Sequence, residues 1–325
     1  MSRKGERFLP LILPAMTILV CGSLAYDTIM VFPDQFKKHI LPEQIHILNV
    51  AFLVPDLRRE FGGTAGNIGY NLKLLGEDPC IMATAGHDFE PYGERLRALG
   101  ISTRHVKRLD QQFTAQAFIT TDVDDNQITA FHPGAMSFAH LNRIEDAPGA
   151  SLGIVSPDGR QGMIEHARDF AARSIPFVFD PGQGLPMFSG AELLEMSSGA
   201  AAVTLNDYEA RVVEQKIGKS IEALARVAKA VVVTRGGEGS VVITAGGELR
   251  VSAVPAEGVV DPTGCGDAFR AGLLYGMARG WGWEKSAQLA SVMGSIKIAH
   301  RGGQNHRPAR EAIARRFKET FGHTL

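Results

Sequence analysis

The chain has 325 residues, 45% of them hydrophobic and 21% charged, with a formal net charge of −1 at pH 7. That is ordinary globular composition, long enough for one large α/β domain with an appendage. The balanced charge excludes the electrostatic footprint of a nucleic-acid or anionic-membrane binder, and no run reaches the roughly 20 apolar residues of a membrane span. Cys21, Cys80 and Cys265 are isolated and lack CxxC spacing, so they read as thiols in a reducing cytoplasm.

Ser2 to Arg7 is basic and Phe8 to Val20 is mostly apolar, which superficially suits a secretory leader ending near Cys21. Pro10 and Pro14 interrupt that run, and Val20 is a poor small-residue context for cleavage. The residues favour a buried first strand at Thr17–Cys21 closed by the Gly22-Ser23 turn. Residues 1–15 are then expected to be a disordered extension ahead of a domain over 16–325.

Further along, periodicity predicts a helix at Gly66–Leu75, a strand at Ile81–Ala85 and a helix at Tyr92–Leu99. A strand at Leu152–Val155, a helix at Gln161–Ala172 and strands at Pro176–Phe179 and Ala202–Leu205 follow. Next come helices at Asp207–Gln215 and Ile221–Ala228 and strands at Val231–Thr234 and Ser240–Thr244. Helices at Ala268–Met277, Glu284–His300 and Arg310–Phe321 end the chain. Such alternation predicts a parallel sheet covered by helices on both faces, a three-layer α/β/α domain. Two stretches, at about 29–57 and 113–131, break the rhythm with short alternating segments around the acidic turn at Asp122–Asn126. That is hairpin chemistry, and two insertions that pair would build a small β-sheet lid.

The segment Asp261-Pro262-Thr263-Gly264-Cys265-Gly266-Asp267 runs straight into an apolar helix. Gly264, Cys265 and Gly266 can aim consecutive backbone N–H groups at one anion, and the helix adds the positive end of its dipole. Asp267 stands at the mouth of that site, where a base beside developing negative charge suits phosphoryl transfer to a hydroxyl. A second segment, Phe61-Gly62-Gly63-Thr64-Ala65-Gly66-Asn67, lets a ligand approach the backbone. Asn67, with a carboxylate such as Asp27, is suited to gripping vicinal sugar hydroxyls; a tight turn with a helix-capping Asn67 is the plainer alternative.

Together, Gly62–Asn67 with Gly76 and Gly86, and Asp261–Asp267, resemble the two signatures of the ribokinase-like (PfkB) family of carbohydrate and nucleoside kinases. Within it, Gly22–Asp27, Phe131–Met136 and Asp180–Pro186 are most similar to bacterial and archaeal adenosine or broad-specificity nucleoside kinases. The resemblance implies a ribokinase-like fold and ATP- and Mg²⁺-dependent phosphorylation of a nucleoside 5′-hydroxyl. It implies Asp267 as the base, Gly264, Cys265 and Gly266 as the anion hole, and Asp27, Gly63 and Asn67 on the ribose. Gln183 is the best candidate for the nucleobase, with Phe118, Phe131 and Met136 as stacking candidates. Asn206 and Glu209 would organise Mg²⁺ through water, and Thr234, Gly236 and Gly239 would meet ATP. Adenine is expected around Lys297 and His300. A potassium ion beside the anion hole and a homodimer through the lid are left open.

Some residues depart from the family pattern. Cys265 replaces a small residue but keeps its N–H, Gly69 replaces Ser, Thr or Ala at a small cost in helix stability, and Arg235 enters the nucleotide turn. His87-Asp88 matches a structural turn. Gly218-Lys219-Ser220 mimics a P-loop end, but Val213 stands where the first glycine must be. No GxGxxG follows the first strand, against a nicotinamide oxidoreductase. The histidines lack metal-site spacing. The rivals are a sugar kinase of the ribose or fructose type and a non-catalytic nucleoside or sugar sensor.

Overall fold

The computed structural model describes residues 17–40, 49–124 and 126–325; the expected extension at residues 1–15 lies outside them. The chain enters through β1 (Thr17–Cys21), β2 (Ala25–Val31), β3 (Asp56–Gly62) and α1 (Thr64–Leu74). It continues through β4 (Cys80–Gly86), α2 (Glu90–Ala98), β5 (Ser102–Leu109), β6 (Ala115–Thr121) and β7 (Gln127–His132). The middle holds β8 (Ala150–Val155), α3 (Arg160–Ala172), β9 (Phe177–Phe179), α4 (Gly190–Ser198), β10 (Ala202–Asn206), α5 (Asp207–Ile217) and α6 (Ile221–Leu224). Then come β11 (Ala230–Thr234), β12 (Ser240–Thr244), β13 (Gly247–Val251), α7 (Cys265–Ala278), α8 (Trp283–Lys297) and α9 (Arg310–Phe321).

Among the described residues, nine strands form one sheet in the order β13-β12-β11-β10-β9-β8-β1-β4-β5. Pairing is parallel from β5 across to β11 and antiparallel through β12 and β13. Successive side chains of a strand point to opposite faces, so both faces of these apolar strands must be covered. Ile18 and Val20 of β1 join Ile81, Ile154, Val178 and Val232 under α1, α7, α8 and α9. Leu19 and Cys21 join Val155, Phe179, Val203 and Val233 under α3, α4 and α5. The result is the expected three-layer α/β/α arrangement.

Four strands make the second, smaller sheet, ordered β3-β2-β6-β7, in which β2 and β6 run parallel. Its strands overrun the expected insertions: β2 begins at Ala25, and β3 ends at Gly62. Asp27 and Gly62 therefore belong to the small sheet. The expected helix at Ile221–Ala228 is a single turn, because beyond Leu224 the chain tightens into i−3 bonds such as Val227 N–H to the Leu224 carbonyl. The strand β5, absent from the sequence reading, is a charged edge strand with no apolar run to mark it. No helix among the described residues is long and apolar enough to cross a membrane.

Candidate active site

Parallel strands end on a common edge, and the loops leaving that edge after β1, β8, β9, β10 and β11 converge. The small sheet rises from the same edge, because β2 follows the β1 turn almost at once. Thr64 ties the two sheets together. Its N–H donates to Ser23 Oγ (3.1 Å) and its hydroxyl to the Pro157 carbonyl (3.0 Å). Asp88 braces the small sheet, accepting from Thr114 N–H (2.7 Å) and Gln116 Nε2 (3.1 Å), which fits the structural role expected of that turn.

Asn67 does not cap α1. Gly63 is the capping residue, and the Asn67 side chain is free to reach across the edge. Its Nδ2 donates to Asp267 Oδ2 at 2.8 Å, which joins the two glycine-rich segments across 200 residues. Buried Gln304 donates through Nε2 to Asn67 Oδ1 (3.2 Å) and to the Tyr92 hydroxyl (2.6 Å). Tyr92 in turn donates to the Gly62 carbonyl (2.7 Å). This chain fixes the Asn67 amide with its NH₂ toward Asp267. Gly303 makes the fit possible: a Cβ there would lie 2.7 Å from Asn67 Cγ.

Gly264 caps α7 with φ +77°, a conformation that favours glycine. The three expected anion-hole donors are not equivalent here. Cys265 N–H donates to the Pro262 carbonyl (3.1 Å), while those of Gly264 and Gly266 meet no protein acceptor among the described residues. Arg270, one turn further along α7, is buried and donates Nε and Nη2 to both oxygens of buried Asp180 (2.6 and 2.9 Å). Its Nη1 also donates to the Gly266 carbonyl (3.2 Å), so the pair stiffens the turn.

Burial pushes the Asp267 carboxyl up to about 7; Asp180 and Asp27 add to the rise, and Asn67 and Arg270 oppose it. Asp27, on β2, rises to about 6 through burial and then through Glu60 and Asp261. Its carboxylate lies 2.5 Å from where a Cβ on Gly62 would stand, so Asp27 and the Gly62–Gly63 turn share one wall. Two carboxyls poised near neutrality, one of them raised in part by the other, are unusual for a purely structural surface.

A cavity of about 600 Å³ extends from Cys265 and Gly266 past Thr234, Gly236 and Gly239, the residues expected at the nucleotide. Its far wall is Val254, Pro255 and the α8 face formed by Ser291, Gly294, Ser295 and Ile298, spaced three and four apart. The α8 end thus borders the cavity, although neither Lys297 nor His300 lines it. Lys297 is buried, and His300 lines a separate surface groove with Arg307 and Arg316. Asn206 and Glu209 form a reciprocal cap on α5: Asn206 Oδ1 accepts from Glu209 N–H, and Glu209 Oε2 accepts from Asn206 N–H, each at 2.8 Å. Burial raises the Glu209 carboxyl, with Asp180 adding and Arg270 opposing. No cluster of three or more histidine, cysteine or carboxylate side chains among the described residues is arranged for a metal. One carboxylate with an amide and retained water nonetheless suits Mg²⁺ bound to phosphates.

Gln183 sits exposed on a short 3₁₀ helix, Gly182–Met187, directly after the Asp180–Arg270 pair. Phe118 and Phe131 are exposed on the small sheet, and Met136 is half-buried below it. Gln304, Tyr92 and Arg270 carry much of the site's geometry and are not marked out by a sequence motif, and Asp180 enters there only within the Asp180–Pro186 segment. Arg270 left a signal, an arginine inside an otherwise apolar helix; Gln304 left none.

The family described as pfkB family carbohydrate kinase matches residues 25–310. A nucleoside kinase of Methanothermobacter thermautotrophicus is 30% identical over 94% of this chain and 97% of its own. The nucleoside kinase of Burkholderia thailandensis in complex with inosine superposes with TM-score 0.86 at 49% identity, covering 94% of this chain and 99% of that one. Its structure with ADP-inosine gives 0.84 at 50% identity over 94% and 97%.

Proposed function

Because the chain belongs to the pfkB family of carbohydrate kinases, we propose that it transfers the γ-phosphoryl group of ATP to the 5′-hydroxyl of a ribonucleoside. The observation that carries this reading is the hydrogen bond from Asn67 to Asp267, which joins the sugar-side turn to the phosphate-side turn. The relatives named nucleoside kinase, one of them complexed with inosine, favour a nucleoside over a free sugar.

Asp27, Gly63 and Asn67 hold the ribose hydroxyls, with Asn67 oriented by Gln304. Asp267 accepts the 5′-hydroxyl proton, for which a carboxyl near 7 is well matched. Gly264, Cys265 and Gly266 face the transferred group at the positive end of α7; the Cys265 N–H must leave Pro262 to donate there. ATP lies in the cavity along Thr234, Gly236 and Gly239. Asn206 and Glu209 would hold Mg²⁺ through water, which supplies neutralising charge at the phosphates. The small sheet closes over the sugar and excludes the water that would otherwise hydrolyse ATP.

A panel of adenosine, inosine, guanosine, cytidine, ribose and fructose, assayed for ADP formation with ATP and Mg²⁺, tests this. Adenosine or inosine should lead, with the product phosphate on the 5′ position by NMR. A higher kcat/KM for ribose or fructose than for every nucleoside would move the assignment to sugars. Absence of ADP formation with all six would leave only a binding role.

A further inference from the structure

Lys297 closes α8 and is wholly buried, with 0% of its surface exposed. Buried ammonium groups ordinarily sit against carboxylates. This one donates instead to two main-chain carbonyls, those of Asp261 and His300, both at 2.9 Å. The two carbonyls belong to the two loops that build the reaction centre. Asp261 opens the turn to Gly264–Asp267, and His300 opens the loop that carries Gly303 and Gln304 against Asn67.

Everything else at Asp261 converges on the same knot. Its carboxylate accepts N–H groups from Thr263 and Gly302, both at 2.8 Å. The N–H groups of Val260 and Asp261 donate to the Ile298 carbonyl (2.9 and 3.1 Å). Carbonyl oxygens gathered around one positive centre are the usual surroundings of an alkali cation. Burial lowers the Lys297 pKa, while Cys265, Asp261 and Asp267 favour its charged form. A potassium ion does not fit beside an ammonium that already uses these oxygens and repels a second charge.

We propose that the Lys297 ammonium is a tethered cation that locks the phosphate-side turn to the Gly303 loop, so that the enzyme works without a free monovalent cation. Lys297 is a positioning residue: it touches neither substrate nor reacting atoms, and it acts through Asp261. The inference rests on the phosphotransfer reading for its kinetic consequence but not for the cage itself.

The test compares wild type with Lys297→Ala in buffers whose monovalent cation is tetramethylammonium, too large for the cage, and then with K⁺ or NH₄⁺ at equal ionic strength. Turnover and, without substrates, the thermal midpoint are both read. Wild type should be indifferent to the cation on both measures. In tetramethylammonium, Lys297→Ala should lose about 10²-fold in turnover, the scale of an ångström-level misplacement. K⁺ or NH₄⁺ should restore part of that loss and raise the variant's midpoint by occupying the emptied cage.

Several-fold stimulation of wild type by K⁺ would overturn the proposal, as would a folded variant that neither cation rescues on either measure. Lys297→Met, which keeps the apolar stem, replaces the alanine variant if that one does not fold. Thermal rescue with no turnover in any buffer would support the cage and sink the kinase reading instead.

Discussion

Asp267 is held in its charged form at a disadvantage. Its folded pKa, near 7, stands well above the ordinary carboxylate value, so the folded state binds the proton more tightly than the unfolded chain. Stability is therefore lost as pH rises from about 4 to about 7. Asp267→Asn keeps an acceptor for Asn67 and removes that cost, so at pH 8 its thermal midpoint should exceed that of wild type. Its turnover should fall by about 10²–10⁴-fold with nucleoside affinity nearly intact. Near-wild-type turnover would remove the base role. Because the unprotonated carboxylate is the acceptor, wild-type kcat/KM should drop about tenfold per unit below pH 7. A profile flat down to pH 5 would contradict it. Asp267 was legible because its chemistry lies within six residues of sequence. Gln304, 237 positions from its partner Asn67, was not.

At the scale of elements, α7 carries both the anion-facing turn and, one turn on, the arginine that steadies it. Arg270→Met leaves the Asp180 carboxylate buried without its partner, which should cost about 3–5 kcal/mol in denaturant unfolding. It also removes a positive charge that holds the Asp267 carboxyl down, so the pH–rate profile should shift upward. A loss of stability with an unmoved profile would show that the pair is structural alone. The approach of the 302–303 loop to α1 makes a separate prediction. Gly303→Ala should displace the Asn67 amide and lower kcat/KM by at least tenfold, with the circular dichroism spectrum unchanged. Retained kcat/KM would mean that Asn67 is not held by this contact. Element boundaries in the parallel core followed from apolar runs, and α9 matches Arg310–Phe321 at both ends. Gly69 is different. Beside its small helix penalty, a Cβ there would come within 2.8 Å of Ile81 Cδ1, a neighbour on β4 that no local pattern reveals.

For the whole molecule, the site is divided between the small sheet, which carries Asp27, and the α/β body, where Asp267 stands in the first turn of α7. A nucleoside that spans them should hold the small sheet down. Saturating nucleoside should slow hydrogen–deuterium exchange in β2 and β6 and raise the thermal midpoint; at 100 times Kd the gain is about 2.7 kcal/mol. Unchanged exchange in those strands would argue against closure. The presence of a small sheet was legible from hairpin chemistry, but its registry with the core was not, since Thr64, Asp88 and Gln304 act over long sequence separations. The place of β1 inside the large sheet, between β8 and β4, has a consequence for biosynthesis. One side of β1 pairs with β4, but the other awaits β8, which begins only at Ala150. At ordinary ribosomal speed, that edge stays open for on the order of ten seconds after β1 is made. The nascent chain carries an apolar, unpaired strand through that interval, an edge open to mispairing until β8 is made.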